Sequence, residues 1–264
     1  MKTNVAIIGA AGRMGQRLIH LTLADPDLHL GAALESPSCP ARGKDIGEVC
    51  GLGKIGVPLA SHFPQGGKID VAIDFSAPEG TMEVLPACIE KRIPLVVATT
   101  GHTPEQRKEI EAAAHQIPLL MAPNMSLAVN VLFALCKQTA TLLRDRDFDV
   151  EVIERHHRFK KDAPSGTALH FARIVQEAIG GGDLRHGREG ITGERPKKEI
   201  GVHALRVGDN VGEHTVVFST LGETLELTHK GHSRDSYARG ALQAAKYLAG
   251  KPAGRYSMND VLGI

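Results

Sequence analysis

Val5-Ala6-Ile7-Ile8-Gly9-Ala10-Ala11-Gly12-Arg13-Met14-Gly15 is the stretch that decides the fold. Val5–Ile8 is an unbroken apolar run, as in a strand buried on both faces of a parallel sheet. Beyond the glycines, Met14, Leu18, Ile19, Leu21 and Leu23 are spaced to suit a helix over Arg13–Ala24, which Asp25-Pro26-Asp27 stops. Small residues between a strand and a helix let backbone N–H groups approach a pyrophosphate, and the helix N-terminus adds partial positive charge. The form is G-x-x-G-x-x-G rather than the strict G-x-G-x-x-G, so the flanking strand and helix carry the reading. Gly9, Ala10, Ala11, Gly12, Arg13 and Met14 are therefore candidate cofactor-binding residues. Glu35 ends the next strand candidate, His29–Leu34, 20 residues after Gly15. A carboxylate there binds the adenosine ribose hydroxyls. It would repel a 2′-phosphate, and Ser36 adds no cation, so the local chemistry favours NADH, with Arg13 still able to reach a 2′-phosphate.

Outward from this unit the alternation continues. Val71–Phe75 reads as a strand, followed by a helix from Pro78 to about Lys91 with Ser76 as its cap. Leu95–Ala98 is a strand. Thr103-Pro104-Glu105-Gln106 opens a helix with a capping box. Pro118–Met121 is a strand and 127–143 a helix. Repeated units of this kind imply a parallel sheet with right-handed crossovers. Asp74-Phe75-Ser76, Ala98-Thr99-Thr100-Gly101 and Ala122-Pro123-Asn124 each follow a strand. Ligands of open α/β sheets sit at those ends, although small polar residues are also common in ordinary turns.

After residue 143 the pattern changes. Asp149–Glu154 is a strand, Pro164–Ile179 a helix and Gly180–Lys198 a charged, Gly-rich, mobile loop. Gly201–Val207, His214–Thr220 and Glu223–His229 are strands, the last two joined by a tight hairpin. Ser233–Ala249 is a final helix that returns to the first domain. Ser36–Gly67 shows no clear period. The architecture is thus α/β: an N-terminal Rossmann-like parallel-sheet dinucleotide-binding domain (1–126 and 237–264), plus an α+β mixed-sheet domain (127–236).

Composition narrows the function. The chain has 264 residues, 42% hydrophobic and 23% charged, the profile of a globular protein of about two domains. With 31 Lys+Arg against 30 Asp+Glu there is no basic excess for general nucleic-acid binding. Aromatics at 4%, without Trp, do not make a base-stacking platform. No apolar run reaches membrane-spanning length, and the N-terminal run ends at the glycine turn, unlike a signal peptide. Cys39, Cys50, Cys88 and Cys136 have no metal or redox spacing and read as reduced thiols, with a cytoplasmic location following by default.

Glu154-Arg155-His156-His157-Arg158-Phe159-Lys160-Lys161-Asp162-Ala163-Pro164-Ser165-Gly166-Thr167 is the densest chemical stretch. Clustered His, Arg and Lys run into a helix start of small residues, whose free N–H groups suit a carboxylate. The pattern fits an anionic substrate such as a dicarboxylate. A His exchanges protons near neutral pH, and a Lys among cations becomes a better acid. The plain alternative is a solvated basic loop. Metal ligation by the His pair lacks a third ligand at suitable spacing.

VAIIGAAGRMG, DFSAPEG, VATTG, APNMSLAVN, ERHHRFKKDAPSGTAL and the terminal MNDVLG together resemble the 4-hydroxy-tetrahydrodipicolinate reductase family, also called dihydrodipicolinate reductase, from end to end. The HHR-x-K-x-DAPSGTAL stretch is the most specific part. The resemblance implies a homotetramer built through the C-terminal domain and a place in bacterial lysine and diaminopimelate biosynthesis. It implies hydride transfer from NADH or NADPH to C4 of the substrate ring, with net loss of water. It casts His156 and Lys160 in the proton chemistry, and His157, Gly166 and Thr167 as substrate-binding residues. Gly9 to Met14 would hold pyrophosphate and Glu35 ribose. Ala98, Thr99, Thr100, Ala122, Pro123, Asn124 and Met125 would line the nicotinamide. No metal is implied. Many members have Gly at the position of Ala98, and many NADPH users have Arg at that of Ser36, so NADH is expected to work at least as well as NADPH.

Two rivals remain at this point. One is another oxidoreductase of a small dicarboxylate or amino-acid semialdehyde; the semialdehyde chemistry needs an activated Cys nucleophile. The other is a nucleotide-sensing protein without catalysis, which would need a partner-binding module. Blocking the thiols separates the first from the reductase: turnover is expected to survive alkylation with iodoacetamide, and its loss would favour the thiol enzyme.

Overall fold

The computed structural model describes residues 2–264, which form two compact units. The chain up to Leu127 together with Arg234–Ile264 makes the first, and Ala128–Ser233 the second. Along the chain the first unit begins with β1 (Thr3–Ile8), α1 (Arg13–Ala24), β2 (Leu28–Leu34), a one-turn α2 (Ile46–Val49), β3 (Leu59–Ala60) and β4 (Val71–Asp74). It continues with α3 (Pro78–Glu90), β5 (Leu95–Val97), α4 (Pro104–Ala112) and β6 (Pro118–Met121). The second unit holds most of α5 (Leu127–Leu143), then β7 (Asp149–His156), α6 (Gly166–Ala178), β8 (Asp183–His186), β9 (Glu199–Arg206), β10 (Gly212–Thr220) and β11 (Glu223–Gly231). The chain then returns to the first unit with α7 (Asp235–Leu248), β12 (Gly254–Tyr256) and α8 (Met258–Leu262).

The first sheet has seven parallel strands in the order β12-β6-β5-β4-β1-β2-β3. Successive β1 side chains serve opposite faces. Val5 and Ile7 join a core with Leu18 and Ile19 of α1 and Ala241 and Ala245 of α7, while Ala6 and Ile8 join one with Leu85 and Ile110 of α3 and α4. That two-sided burial explains the unbroken apolar runs. Strand order reverses between β1 and β4, where such sheets open a crevice at their carboxyl ends.

The final helix does return to the first unit. Asp235 of α7 accepts both Nε and Nη2 of Arg17, at 2.7 and 2.8 Å. Lys246 reaches Asp25 at 2.8 Å and Asp27 at 3.1 Å. A Cβ on Gly240 would lie 1.7 Å from the Met125 carbonyl, so only glycine lets α7 rest on that turn.

Several sequence expectations need correction. Ser76 does not cap α3: Ala77 holds that position, and the Ser76 hydroxyl instead donates to Asp74. Leu23 is exposed rather than part of the apolar stripe. The helix after the HHR stretch starts at Gly166, not Pro164, because Ser165 takes the cap position and accepts from the Ala168 amide. β12 and α8 went unseen: β12 is a half-exposed Gly-Arg-Tyr triplet with no periodic signature, ordered by pairing with β6. The Thr103–Gln106 capping box of α4 is present as expected.

The second sheet is mixed, in the order β11-β10-β7-β9-β8. β11, β10 and β7 pair antiparallel; β7, β9 and β8 pair parallel. Leu221-Gly222 forms the two-residue hairpin turn, with Gly222 at φ +105°. One face packs on α5 and α6 through Val150, Val152, Val216, Phe218, Phe133 and Phe171. Glu151, Ile153 and Arg155 alternate onto the other face.

The Gly180–Lys198 segment is not simply a loop. It contains edge strand β8, and two of its arginines are tied to the sheet. Arg188 bonds Glu151 at 2.7 Å and Glu199 at 2.5 Å; Arg195 bonds Asp149 at 2.6 Å and Glu151 at 3.2 Å. His203 adds a 2.6 Å contact to Glu151, and Gly201 leaves room for that carboxylate. Partial burial would push the Glu151 carboxyl up, but hydrogen bonds from Arg188, His203 and Arg195 bring it down to about 2. A folded value below the unfolded one, near about 4.3, means stability that is complete above the unfolded value and lost as pH falls toward the folded one. Wild type is therefore expected to lose more thermal stability between pH 5 and pH 2.5 than Glu151→Gln, as read by circular dichroism melts; parallel curves would dismiss the anchor.

Candidate active site

In the first unit the expected turns lie side by side along the carboxyl edge of the sheet. The Gly9 amide donates to Leu34 O at 2.9 Å, and the Phe75 amide to Ile8 O at 3.2 Å. Gly9 has φ +75°, and a Cβ there would meet the Phe75 carbonyl at 2.6 Å. A Cβ on Gly15 would meet the Gly9 carbonyl at 2.1 Å, so that glycine lets α1 sit against the turn. Gly12 differs: the nearest atom to an added Cβ is Gly9 O at 3.2 Å, and the remaining space is open. No side chain caps α1 and no acidic residue stands in its first turn. The Glu35 carboxylate reaches this turn, accepting from the Ala11 amide at 3.0 Å and from its neighbour Ser36 at 3.1 Å. An uncapped helix start, open space at Gly12 and a carboxylate beside the turn fit a dinucleotide.

The turns after β4 and β5 are organised by Asp74, the first residue of the Asp74-Phe75-Ser76 turn. Asp74 is fully buried at the end of β4. It accepts the Ser76 amide at 3.0 Å, the Ser76 hydroxyl at 2.5 Å and the Thr81 hydroxyl at 2.5 Å. Because Thr81 Oγ1 donates to Asp74, it accepts from His102 Nε2 at 3.0 Å. Burial lowers the proton affinity of His102. Thr99 Oγ1 also accepts from the Ser76 amide at 3.0 Å, which joins the β4 and β5 turns. Thr100 is exposed. Ala122 and Met125 are buried in the core, and Asn124 Oδ1 accepts from the Ser126 amide at 2.9 Å.

In the second unit β7 runs two residues further than expected, so His156 is its last residue rather than part of a loop. Glu154 and His156 lie two apart, on the same sheet face. Glu154 is fully buried and His156 is 8% exposed. The Glu154 carboxylate accepts His156 Nδ1 in a short hydrogen bond. It also accepts both terminal nitrogens of Arg206, at 2.9 and 2.8 Å, and the Ser165 amide at 3.0 Å. Burial opposes its ionisation, and these donors outweigh the burial and hold it well below the usual carboxylate range.

Around this centre, the α6 N-terminus presents Gly166, exposed with open space where a Cβ would stand, and the buried Thr167. Lys160 pairs with Asp162 at 3.0 Å, and the His157 ring lies 6.2 Å from that of Phe159. Glu154 opens the basic stretch quoted from the sequence, which assigns it no role, and Arg206 lies outside every motif. The alternation of Glu154 with His156 on a strand is the one sequence signal for that carboxylate, and Arg206 has none.

Cys88 and Cys136 are buried, and burial pushes both thiols up to about 12, too high for nucleophiles. Among the described residues no cluster of three or more His, Cys, Asp or Glu could hold a metal ion. No described helix is long and apolar enough to cross a membrane.

The chain matches two family models end to end: "Dihydrodipicolinate reductase, N-terminus" over residues 3–125 and "Dihydrodipicolinate reductase, C-terminus" over residues 128–262. It is 48% identical over 266 residues to the 4-hydroxy-tetrahydrodipicolinate reductase of Hahella chejuensis, covering 99% of each chain. It is 47% identical over 263 residues to that of Syntrophus aciditrophicus, covering 97% of each. Among solved structures, a dipicolinate-bound dihydrodipicolinate reductase from Paenisporosarcina sp. TG-14 superposes with TM-score 0.74 at 23% identity, over 97% of this chain and 98% of that one. GenD2 from gentamicin A biosynthesis, in complex with NAD, superposes with TM-score 0.59 at 13% identity, over 99% and 90%. A Rossmann-like sheet joined to a mixed sheet is thus shared widely, but the full-length sequence matches are specific: the chain belongs to the dihydrodipicolinate reductase family.

Proposed function

We propose that this protein reduces 4-hydroxy-tetrahydrodipicolinate to tetrahydrodipicolinate, with net loss of water, in diaminopimelate and lysine biosynthesis. The observation that carries the reading is a His held by a buried carboxylate beside the first turn of α6, in a chain similar along its whole length to reductases of that name. When bound, the nicotinamide supplies the hydride that adds to C4 of the substrate ring. This chain binds, orients and supplies protons. His156 and Lys160 serve the proton chemistry. The first turn of α6, through Gly166 and Thr167, together with His157, takes a substrate carboxylate. Binding of dipicolinate by the Paenisporosarcina protein supports a two-carboxylate ligand.

For the cofactor, Gly9, Ala10, Ala11, Gly12, Arg13 and Met14 hold the pyrophosphate and Glu35 the ribose. Ala98, Thr99, Thr100, Ala122, Pro123, Asn124 and Met125 line the nicotinamide, the last two shaping that wall mainly by their buried packing. Glu35 beside Ser36 disfavours a 2′-phosphate, so NADH is used at least as well as NADPH. The four cysteines form no disulfide, which suits a cytoplasmic enzyme. No metal takes part.

Substrate made fresh from pyruvate and aspartate semialdehyde by a coupled synthase tests this reading, with nicotinamide oxidation followed by absorbance. His156→Gln and Lys160→Ala are expected to lower kcat by about 10²–10⁴-fold, and Thr167→Ala to raise KM more than it lowers kcat. NADH should give a kcat/KM no lower than NADPH. Cofactor binding without turnover in wild type would end the reductase assignment.

For the assembly, the Glu151–Ile153–Arg155 face of the second sheet carries exposed Ile153 and Leu205. We assign this face to self-association as a homotetramer. Multi-angle light scattering is expected to give four times the chain mass; a monomer mass would remove the assignment.

A further inference from the structure

We infer that Glu154 is a positioning residue that fixes which nitrogen of His156 exchanges protons and ties that ring to the start of α6. This rests on the reductase reading above and adds a residue to it.

The argument begins with hydrogen-bond inventory. An ionised carboxylate only accepts. Glu154 is fully buried and ionised, and its oxygens take four donors: His156 Nδ1, two from Arg206 and the Ser165 amide. His156 Nδ1 must therefore carry its hydrogen in both the neutral and the charged ring. Nε2 is left as the atom that gains and loses the proton. Without that partner a neutral imidazole exchanges between two tautomers, and one of them presents a hydrogen where an acceptor is needed.

The same carboxylate sets the neighbouring helix. Its bond to the Ser165 amide holds the residue that caps α6, whose hydroxyl accepts from the Ala168 amide at 3.2 Å. Gly166 and Thr167, the carboxylate-binding candidates, are the next two residues. Arg206 balances the buried charge, and its Nη2 also donates to Asp162 O at 2.6 Å, so it holds the loop that carries Lys160. On the other flank the His214 ring lies edge-on to His156, with centroids 5.3 Å apart. Burial, then the neighbouring His156 and His229, push His214 down to about 3, so it stays neutral and adds no second cation. Proton exchange and anion binding in this unit therefore share one buried anchor.

The test is Glu154→Gln in the full-length enzyme, read two ways. Long-range ¹H–¹⁵N spectra of histidine report the tautomer directly. Wild type is expected to show His156 protonated on Nδ1 when neutral. Glu154→Gln is expected to shift it toward Nε2–H, because the Gln side-chain NH₂ can donate to Nδ1. A kcat lower by about 10–100-fold should accompany the shift, the usual size for loss of an orienting partner. Should that variant fail to fold, the double variant Glu154→Met, Arg206→Met removes both charges while keeping the packing, and the same tautomer shift is expected. An unchanged Nδ1–H tautomer in the folded variant overturns the inference, as does unchanged kcat. If wild type turns over no substrate, the reductase reading fails instead, and the tautomer measurement alone decides whether Glu154 positions the ring.

Discussion

A carboxylate taken out of water must be met by donors on every side, or it costs several kcal/mol. Two fully buried carboxylates impose that condition here, one in each unit. Asp74 ends β4 and Glu154 lies near the end of β7. Each draws in the chain that follows. Around Asp74, the Ser76 amide, the Ser76 hydroxyl and the Thr81 hydroxyl close in, and His102 and Thr99 join through them. Around Glu154, His156, Arg206 and Ser165 do the same. The turns that follow β4 and β7 are thus the ones that a buried carboxyl group has gathered.

Close backbone approach is the second constraint, and it acts where charge is absent. Gly15 has no room for a methyl against the Gly9 carbonyl, nor Gly240 against that of Met125. These contacts set two helices directly on the carboxyl edge of the first sheet. Gly12 is less crowded: an added Cβ would meet only the Gly9 carbonyl, at 3.2 Å. Within the motif, Gly9 thus serves a positive φ and Gly15 close packing.

Most of the first unit was legible because parallel strands buried on both faces read as apolar runs, and glycine or capping residues punctuate them. α1, β6 and α5 have the bounds that periodicity predicted. What escaped was order imposed from elsewhere. β12 exists because β6 offers an open edge, and β8 because β9 does. The 187–196 segment looked loose because glycine and charge dominate it, yet Glu151, remote in sequence, anchors two of its arginines. In the second unit His156, His157, Lys160, Gly166 and Thr167 stood out as a contiguous motif. Arg206 did not, because it meets Glu154 only across the β7–β9 pairing. Local pattern reveals residues that act in sequence order; it is silent on partners supplied by strand register.

The Glu154–Arg206 pair also shows why stability alone does not account for these side chains. A buried ion pair gains little over apolar residues of the same volume, since both ions give up their hydration. Val150 and Val152 stand on the same strand face and pack without such cost. Retaining a carboxylate two residues further along makes physical sense if its acceptors are needed where they are. One oxygen faces the imidazole, the other the helix cap, and the arginine donates to both. An apolar side chain could fill that volume, but it could not dictate a tautomer or fix the first amides of α6. The cost of burying the charge is thus a cost of geometry, borne where one carboxylate has to meet an imidazole, a guanidinium and the cap of α6 together.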